Sequence, residues 1–258
     1  MRSGLVGSRV RGALALVVAL VTVSAGGACS NGSAGDTPSS TSAVATSGTP
    51  GDSPTQTGSG STVGDLYRSA RTASLSAASG HATGTQTRQE RTLRIDVEGA
   101  ANGSNQTVFI TSPDGGTSEV RTVGEDHWLG GDEAFWVQQT GDPAAGRAMV
   151  GKYVDISESD ATELGSFTLR GILTEYFSLP EVAAMESDTT EAARVDVDGR
   201  AAYLLGTAGG AQLWVAADGS GEILRAVGPS TAPSDFVFTE WDRAPVVTAP
   251  PASSVVEG

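Results

Sequence analysis

A single cysteine in 258 residues leaves this chain no intrachain disulfide, so its fold must be held by a core. Histidine is nearly as scarce. His81 and His127 lack the cysteine or carboxylate spacing of a metal site, and each reads as a strand residue. Basic residues are outnumbered, 16 against 30 acidic, for a net charge of −14. That balance argues against nucleic acid, whose phosphates need clustered Lys and Arg. It also argues against polybasic attraction to anionic lipid headgroups, and the excess acid reads as solubility. A Gly-x-Ser-x-Gly elbow, a Walker loop, Rossmann glycines and a His-Glu-x-x-His helix are all missing. Asp198-Gly199 and Asp218-Gly219 lack the repeated oxygen ligands of an EF-hand and read as turns. No pair among the acids stands out for glycoside chemistry. These absences point away from an enzyme, a metal and a cofactor. Aromatics make up only 5% of the chain, so the few Trp and Phe residues should gather in one interior.

Long apolar runs are missing too. The longest, residues 13–23, falls short of the about 20 residues that span a bilayer. Arg2, Arg9 and Arg11 lie in front of it, and Ser24-Ala25-Gly26-Gly27-Ala28 leads to Cys29, the layout of a secretory signal. A cysteine directly after such a run resembles the lipobox of bacterial lipoproteins. The resemblance implies a diacylglyceryl group on Cys29 and cleavage that removes residues 1–28. Gly26 stands where the usual lipobox has Leu or Val. Ordinary cleavage after Ala25, leaving a free thiol, and an uncleaved anchor are the alternatives. Lipidation would hold the chain on the extracytoplasmic face of the cell membrane. Residues 1–28 carry three arginines and no acid, so without them the net charge is about −17, and anchoring must come from the acyl chains.

Residues 29–63 are nearly all Gly, Ser, Thr, Ala, Pro and Asp, too polar to bury an apolar face, and read as a disordered tether. A folded domain is expected over 64–251, with a short tail over 252–258. Asp65 is placed to cap a helix carrying Leu66, Ala70, Ala73 and Ala77 on one face, ending at Gly80. Leu93-Arg94-Ile95-Asp96-Val97-Glu98 alternates like a half-buried antiparallel strand. Strands are also expected at 107–110, 118–123, 127–129 and 134–138, with Pro113-Asp114-Gly115-Gly116 as a hairpin turn. The middle reads as helical: a helix from Pro143 to about Val150, a turn capped by Ser159 or Asp160, and a helix over 168–178 that Pro180 ends. Strands resume at 193–197, 201–205, 212–216, 222–227 and 235–241, and an extended tail follows Pro245.

In this order the segments resemble the actinobacterial LppX/LprG-like envelope lipoproteins and, more distantly, the LolA/LolB carriers. Glu125-Asp126-His127-Trp128-Leu129 and Phe135-Trp136 stand where that group has a Tyr-Leu strand and its sequel. Gly151-Lys152-Tyr153-Val154 stands for Gly-Lys-Trp-Val. Val197-Asp198-Gly199-Arg200-Ala201-Ala202-Tyr203 and Leu213-Trp214-Val215-Ala216 match its later hairpins, and Phe238-Thr239-Glu240-Trp241 and Ala249-Pro250-Pro251 its close. The resemblance covers about residues 65–251, and its weight lies in the order of the motifs. It implies an α+β fold: a strongly curved antiparallel β-sheet, a half-barrel, with helices packed on its concave face. It also implies a lipid or acylated ligand between the two layers. Trp128, Phe135, Trp136, Met149, Leu169, Ile172, Leu173, Tyr176 and Phe177 are the expected lining, though each fits ordinary core as well. The expected function is a non-enzymatic, membrane-anchored lipoprotein that binds, and could carry, an apolar or acylated ligand. The alternative is a protein-docking or scaffold lipoprotein of the envelope.

Overall fold

The computed structural model of the chain describes residues 61–256. The signal segment, Cys29 and the tether as far as residue 60 lie outside them. One open sheet of twelve strands runs through the described residues in the order β12-β6-β5-β4-β3-β2-β1-β11-β10-β9-β8-β7. The strands are β1 (Ser79–Arg88), β2 (Arg91–Ala100), β3 (Asn105–Ser112), β4 (Gly116–Val123), β5 (Asp126–Gly131), β6 (Tyr153–Asp155), β7 (Ala193–Val197), β8 (Arg200–Gly206), β9 (Gln212–Ala216), β10 (Ile223–Val227), β11 (Ser234–Thr239) and β12 (Val255–Val256). All pairings are antiparallel except β12 on β6. The sheet is curved and does not close, and the α+β class expected from the sequence is the one observed.

Six α-helices are described: α1 (Val63–Ser76), α2 (Glu133–Thr140), α3 (Pro143–Met149), α4 (Glu158–Glu163), α5 (Leu169–Ser178) and α6 (Pro180–Ala183). None is long and apolar enough to cross a membrane.

Alternation decides which face of the sheet is covered. Phe238, Ala82, Val97, Val108, Val120 and Leu129 are register partners across six strands, and all are buried. The next row over, Thr239, His81, Glu98, Thr107, Arg121 and Trp128, faces the other way, as a period of two requires. The helices pack on the first face. β1 supplies Gly80, Ala82 and Gly84 to that face, and their small size lets other groups come close. A Cβ on Gly80 would come within 3.0 Å of the Leu169 side chain on α5. One on Gly84 would collide with the Asp235 carbonyl and come within 2.8 Å of the Phe236 ring.

Several local expectations need correcting. Residues 134–138 are helix, not strand. Asp132 caps α2 by accepting from the Phe135 N–H (2.8 Å), and Gly141 ends it in the left-handed region at φ 68°. The aromatic and β-branched run Phe135-Trp136-Val137 favours strand by propensity, and capping with tertiary packing overrides it. The α1 cap is Thr62 rather than Asp65, so the helix starts at Val63 and its buried side is Val63, Gly64, Tyr67, Ala70 and Ser74. Leu66 and Ala77 only border that contact. Ser157, not Ser159 or Asp160, caps α4, through a reciprocal capping box with Asp160. Pro180 does not merely end α5 but opens α6 at a tolerated first position. The tail is not simply extended. Asn105 exchanges two 2.8 Å hydrogen bonds with the Val247 backbone, and the chain ends as β12 on the β6 edge.

Candidate functional site

The site builds from α5. Thr168 caps it by accepting from the Gly171 N–H at 3.0 Å, and Leu169, Ile172, Leu173, Tyr176 and Phe177 fall on one buried face. Burying such side chains stabilises by roughly 1.5–3 kcal/mol each. Polar contacts fix how the helix lies. The Tyr176 hydroxyl donates to the Gln212 carbonyl of β9 (2.8 Å), and Arg170 donates to the Leu75 carbonyl of α1 (3.2 Å). Burial pushes the Tyr176 phenol well above its ordinary pKa, with Tyr67 nearby acting the same way. Tyr67 meets Phe177 edge-on with ring centroids 5.7 Å apart. Its own phenol is raised, first by burial, with Arg71 opposing and Glu186 adding.

Between α5 and strands β1, β10 and β11 lies a narrow cleft. Ile172, Tyr176 and Leu179 line it from the helix side and Ala226, Phe236 and Phe238 from the sheet, with Gln86 and Glu175 at its rim. Its free volume is about 20 Å3, enough for one water and far below the several hundred Å3 of a ligand pocket. At the rim Arg88 pairs with Glu175 and lies over the Phe167 ring at 5.1 Å from its centroid, while Gln86 donates to Glu175 at 3.0 Å. Among the described residues this is the one ion pair that joins a helix to the sheet.

Of the nine residues expected to line a pocket, seven fall in one buried cluster: Phe135, Trp136, Leu169, Ile172, Leu173, Tyr176 and Phe177. Met149 is half-buried and packs against that cluster. Only Ile172 and Tyr176 border the cleft itself. Trp128 does not join them. It pairs with Arg121 and Asp155 on the opposite face, because Leu129 takes the inward position and its neighbour must point out. Gln86, Arg88, Glu175, Phe236 and Phe238 were not among the residues expected to line a pocket. The one available signal was Glu175, an acid at the border of an apolar helical face. The outer face holds two shallow hollows, about 300 and 230 Å3, on either side of Phe109. No group of His, Cys, Asp or Glu among the described residues is arranged to hold a metal.

No protein-family model matches the chain, and no curated protein matches it. Solved structures do. LprF from Mycobacterium bovis is similar over 73% of this chain and 96% of its own, at 13% identity and a TM-score of 0.48. The Mycobacterium tuberculosis lipoprotein LppX is similar over 72% of this chain and 98% of its own, at 14% identity and a TM-score of 0.41. An uncharacterized conserved protein from Thermus thermophilus follows at 75% and 98% coverage, 11% identity and a TM-score of 0.32. At such identities the likeness concerns the fold.

Proposed function

We propose that this chain is a non-enzymatic envelope lipoprotein, anchored through acylated Cys29, that takes an apolar or acylated ligand between α5 and the sheet. The observation that carries the reading is the cleft. Its floor is apolar, its rim is polar, and its roof is a single ten-residue helix whose polar ties to the sheet are one ion pair and the hydrogen bonds from Gln86 and Tyr176. The described state is closed, with room for a water only, so ligand entry requires α5 to lift. Lifting it exposes Ile172, Tyr176, Phe236 and Phe238, a surface that water disfavours and an acyl chain would cover. A sheet whose inner face is rich in Val, Ile, Leu and Phe is suited to that exchange, because an acyl chain is as apolar as the helix face it replaces.

The test is mass spectrometry of lipids that co-purify with the protein after mild-detergent extraction from its native membrane, scored against the bulk lipid of that extract. An apolar or acylated species in near-stoichiometric amount is expected. A clean apo protein that also fails to take up a fluorescent acyl probe in solution would refute the reading.

A further inference from the structure

The cleft under α5 has apolar walls, Ile172 above and Phe236 and Phe238 below, and gathers its polar groups near the end of β1. Gln86 and Arg88 are two apart on that strand and point to the same side. Both reach Glu175: Gln86 Nε2 donates to Oε1 at 3.0 Å, and Arg88 Nη2 donates to Oε2. The arrangement leaves capacity unused. Gln86 Oε1 and Arg88 Nε are buried and have no partner among the described residues. Buried polar atoms are nearly always satisfied, so a cluster that is not marks a place where a polar group belongs.

We propose that this rim binds the polar end of an amphiphile, and that the end is uncharged: an ester, amide or hydroxyl group rather than a phosphate or carboxylate. The proposal rests on the apolar-ligand reading above and adds what head that ligand carries. The unmet capacity is one N–H donor and one carbonyl acceptor. An ester carbonyl accepts from Arg88 Nε, and a hydroxyl donates to Gln86 Oε1. Charge decides against an anion. The Arg88 cation is already matched by Glu175, so an incoming phosphate either lies against that carboxylate or displaces it and leaves it unpaired. The net charge of −14 acts in the same direction. A lone water would satisfy the same atoms, and the experiment separates it from a ligand head.

The full chain, stripped of lipid, is titrated with monooleoylglycerol, oleate and oleoyl lysophosphatidate, which share one acyl chain under three heads, and with hexadecane, which has none. Monooleoylglycerol should bind best, with both anions at least about tenfold weaker. Arg88→Lys keeps the charge opposite Glu175 but loses the Nε donor. It should weaken monooleoylglycerol binding about tenfold and leave hexadecane unchanged. Gln86→Leu serves as the second variant should the first fail to fold. Anions that bind as tightly as the ester would overturn the proposal, as would folded variants that bind the ester like the parent, leaving water as the rim's occupant. Binding of hexadecane with no preference among heads would overturn it while sparing the apolar-ligand reading. Failure of all four probes would overturn both.

Discussion

Replacing Arg88 or Glu175 tests whether α5 is a roof that opens or a fixed part of the core. The Arg88 side chain is 16% exposed and that of Glu175 is 40% exposed. Fully exposed pairs couple by about 0.2–1 kcal/mol, and charge-assisted hydrogen bonds out of water contribute about 1.5–3 kcal/mol. With one partner shielded and the other partly wet, a double-mutant cycle with Arg88→Ala and Glu175→Ala should give a coupling of about 1–2 kcal/mol. Arg88→Ala should cost more than Glu175→Ala, because it also uncovers the Phe167 ring beneath the guanidinium. The informative measurement is hydrogen exchange. If the pair holds the roof, either substitution should speed exchange at the α5 amides of Leu173 and Tyr176 by about 5–30-fold, the equivalent of that energy. The amide of Val97, deep in β2, should speed by no more than the same factor, because global unfolding breaks the pair as well. A coupling under about 0.3 kcal/mol with unchanged α5 protection would refute the reasoning, since packing alone would then hold helix to sheet.

Three further outcomes are expected. Cys29→Ser should release the chain from membranes on cell fractionation, and unchanged retention would contradict lipid anchoring. Tyr176→Phe should cost about 1 kcal/mol at neutral pH for the lost hydrogen bond to Gln212, read from a urea midpoint. It should also flatten the alkaline side of the stability curve. Because the folded Tyr176 pKa is raised, its contribution is whole below the unfolded value of about 10 and is lost as pH climbs toward the folded value, by up to about 1.4 kcal/mol per pH unit. A parent protein whose midpoint does not fall between pH 10 and 11 would contradict that. Asn105→Ala removes both hydrogen bonds to Val247 and should cost about 1–2 kcal/mol. Faster proteolysis beside Val246 is the second readout, and an unchanged cleavage rate would show that β12 pairing and the Arg121 and Lys152 hydrogen bonds suffice to secure the tail.

Much of the sheet was legible because its signal is local. Alternation in residues 93–98 and the turn residues at 113–116 and 198–199 each specify a strand or hairpin without knowledge of the rest. Resemblance through the order of motifs supplied the architecture. The misreadings share a cause. Residues 134–138 and the start of α1 turned on single capping hydrogen bonds, from Asp132 and Thr62, which short polar runs offer at several neighbouring positions. Trp128 was misplaced for a related reason. A one-residue choice of register sends a side chain to either face, and His127-Trp128-Leu129 offers inward candidates at successive positions.

The cleft was legible only from its helix side. Ile172 and Tyr176 announce themselves by helical spacing, whereas Arg88 and Glu175 are 87 positions apart and meet only once β1 and α5 are packed. What brings them together is visible in hindsight as an absence of side chains. Gly80, Ala82 and Gly84 strip the inner face of β1 so that Leu169 settles over one glycine and Phe236 over another. That same economy makes the closed state snug and restricts how it can open. A substitution that fills the inner face of β1, such as Gly80→Val, would press on Leu169 and lift the N-terminal end of α5, while leaving the Arg88–Glu175 pair one turn and more away. Opening from the Glu175 end instead leaves Leu169 seated. Opening from that end must break the Arg88–Glu175 pair and the hydrogen bonds from Gln86 and Tyr176, so these three contacts set what it costs to lift α5 there.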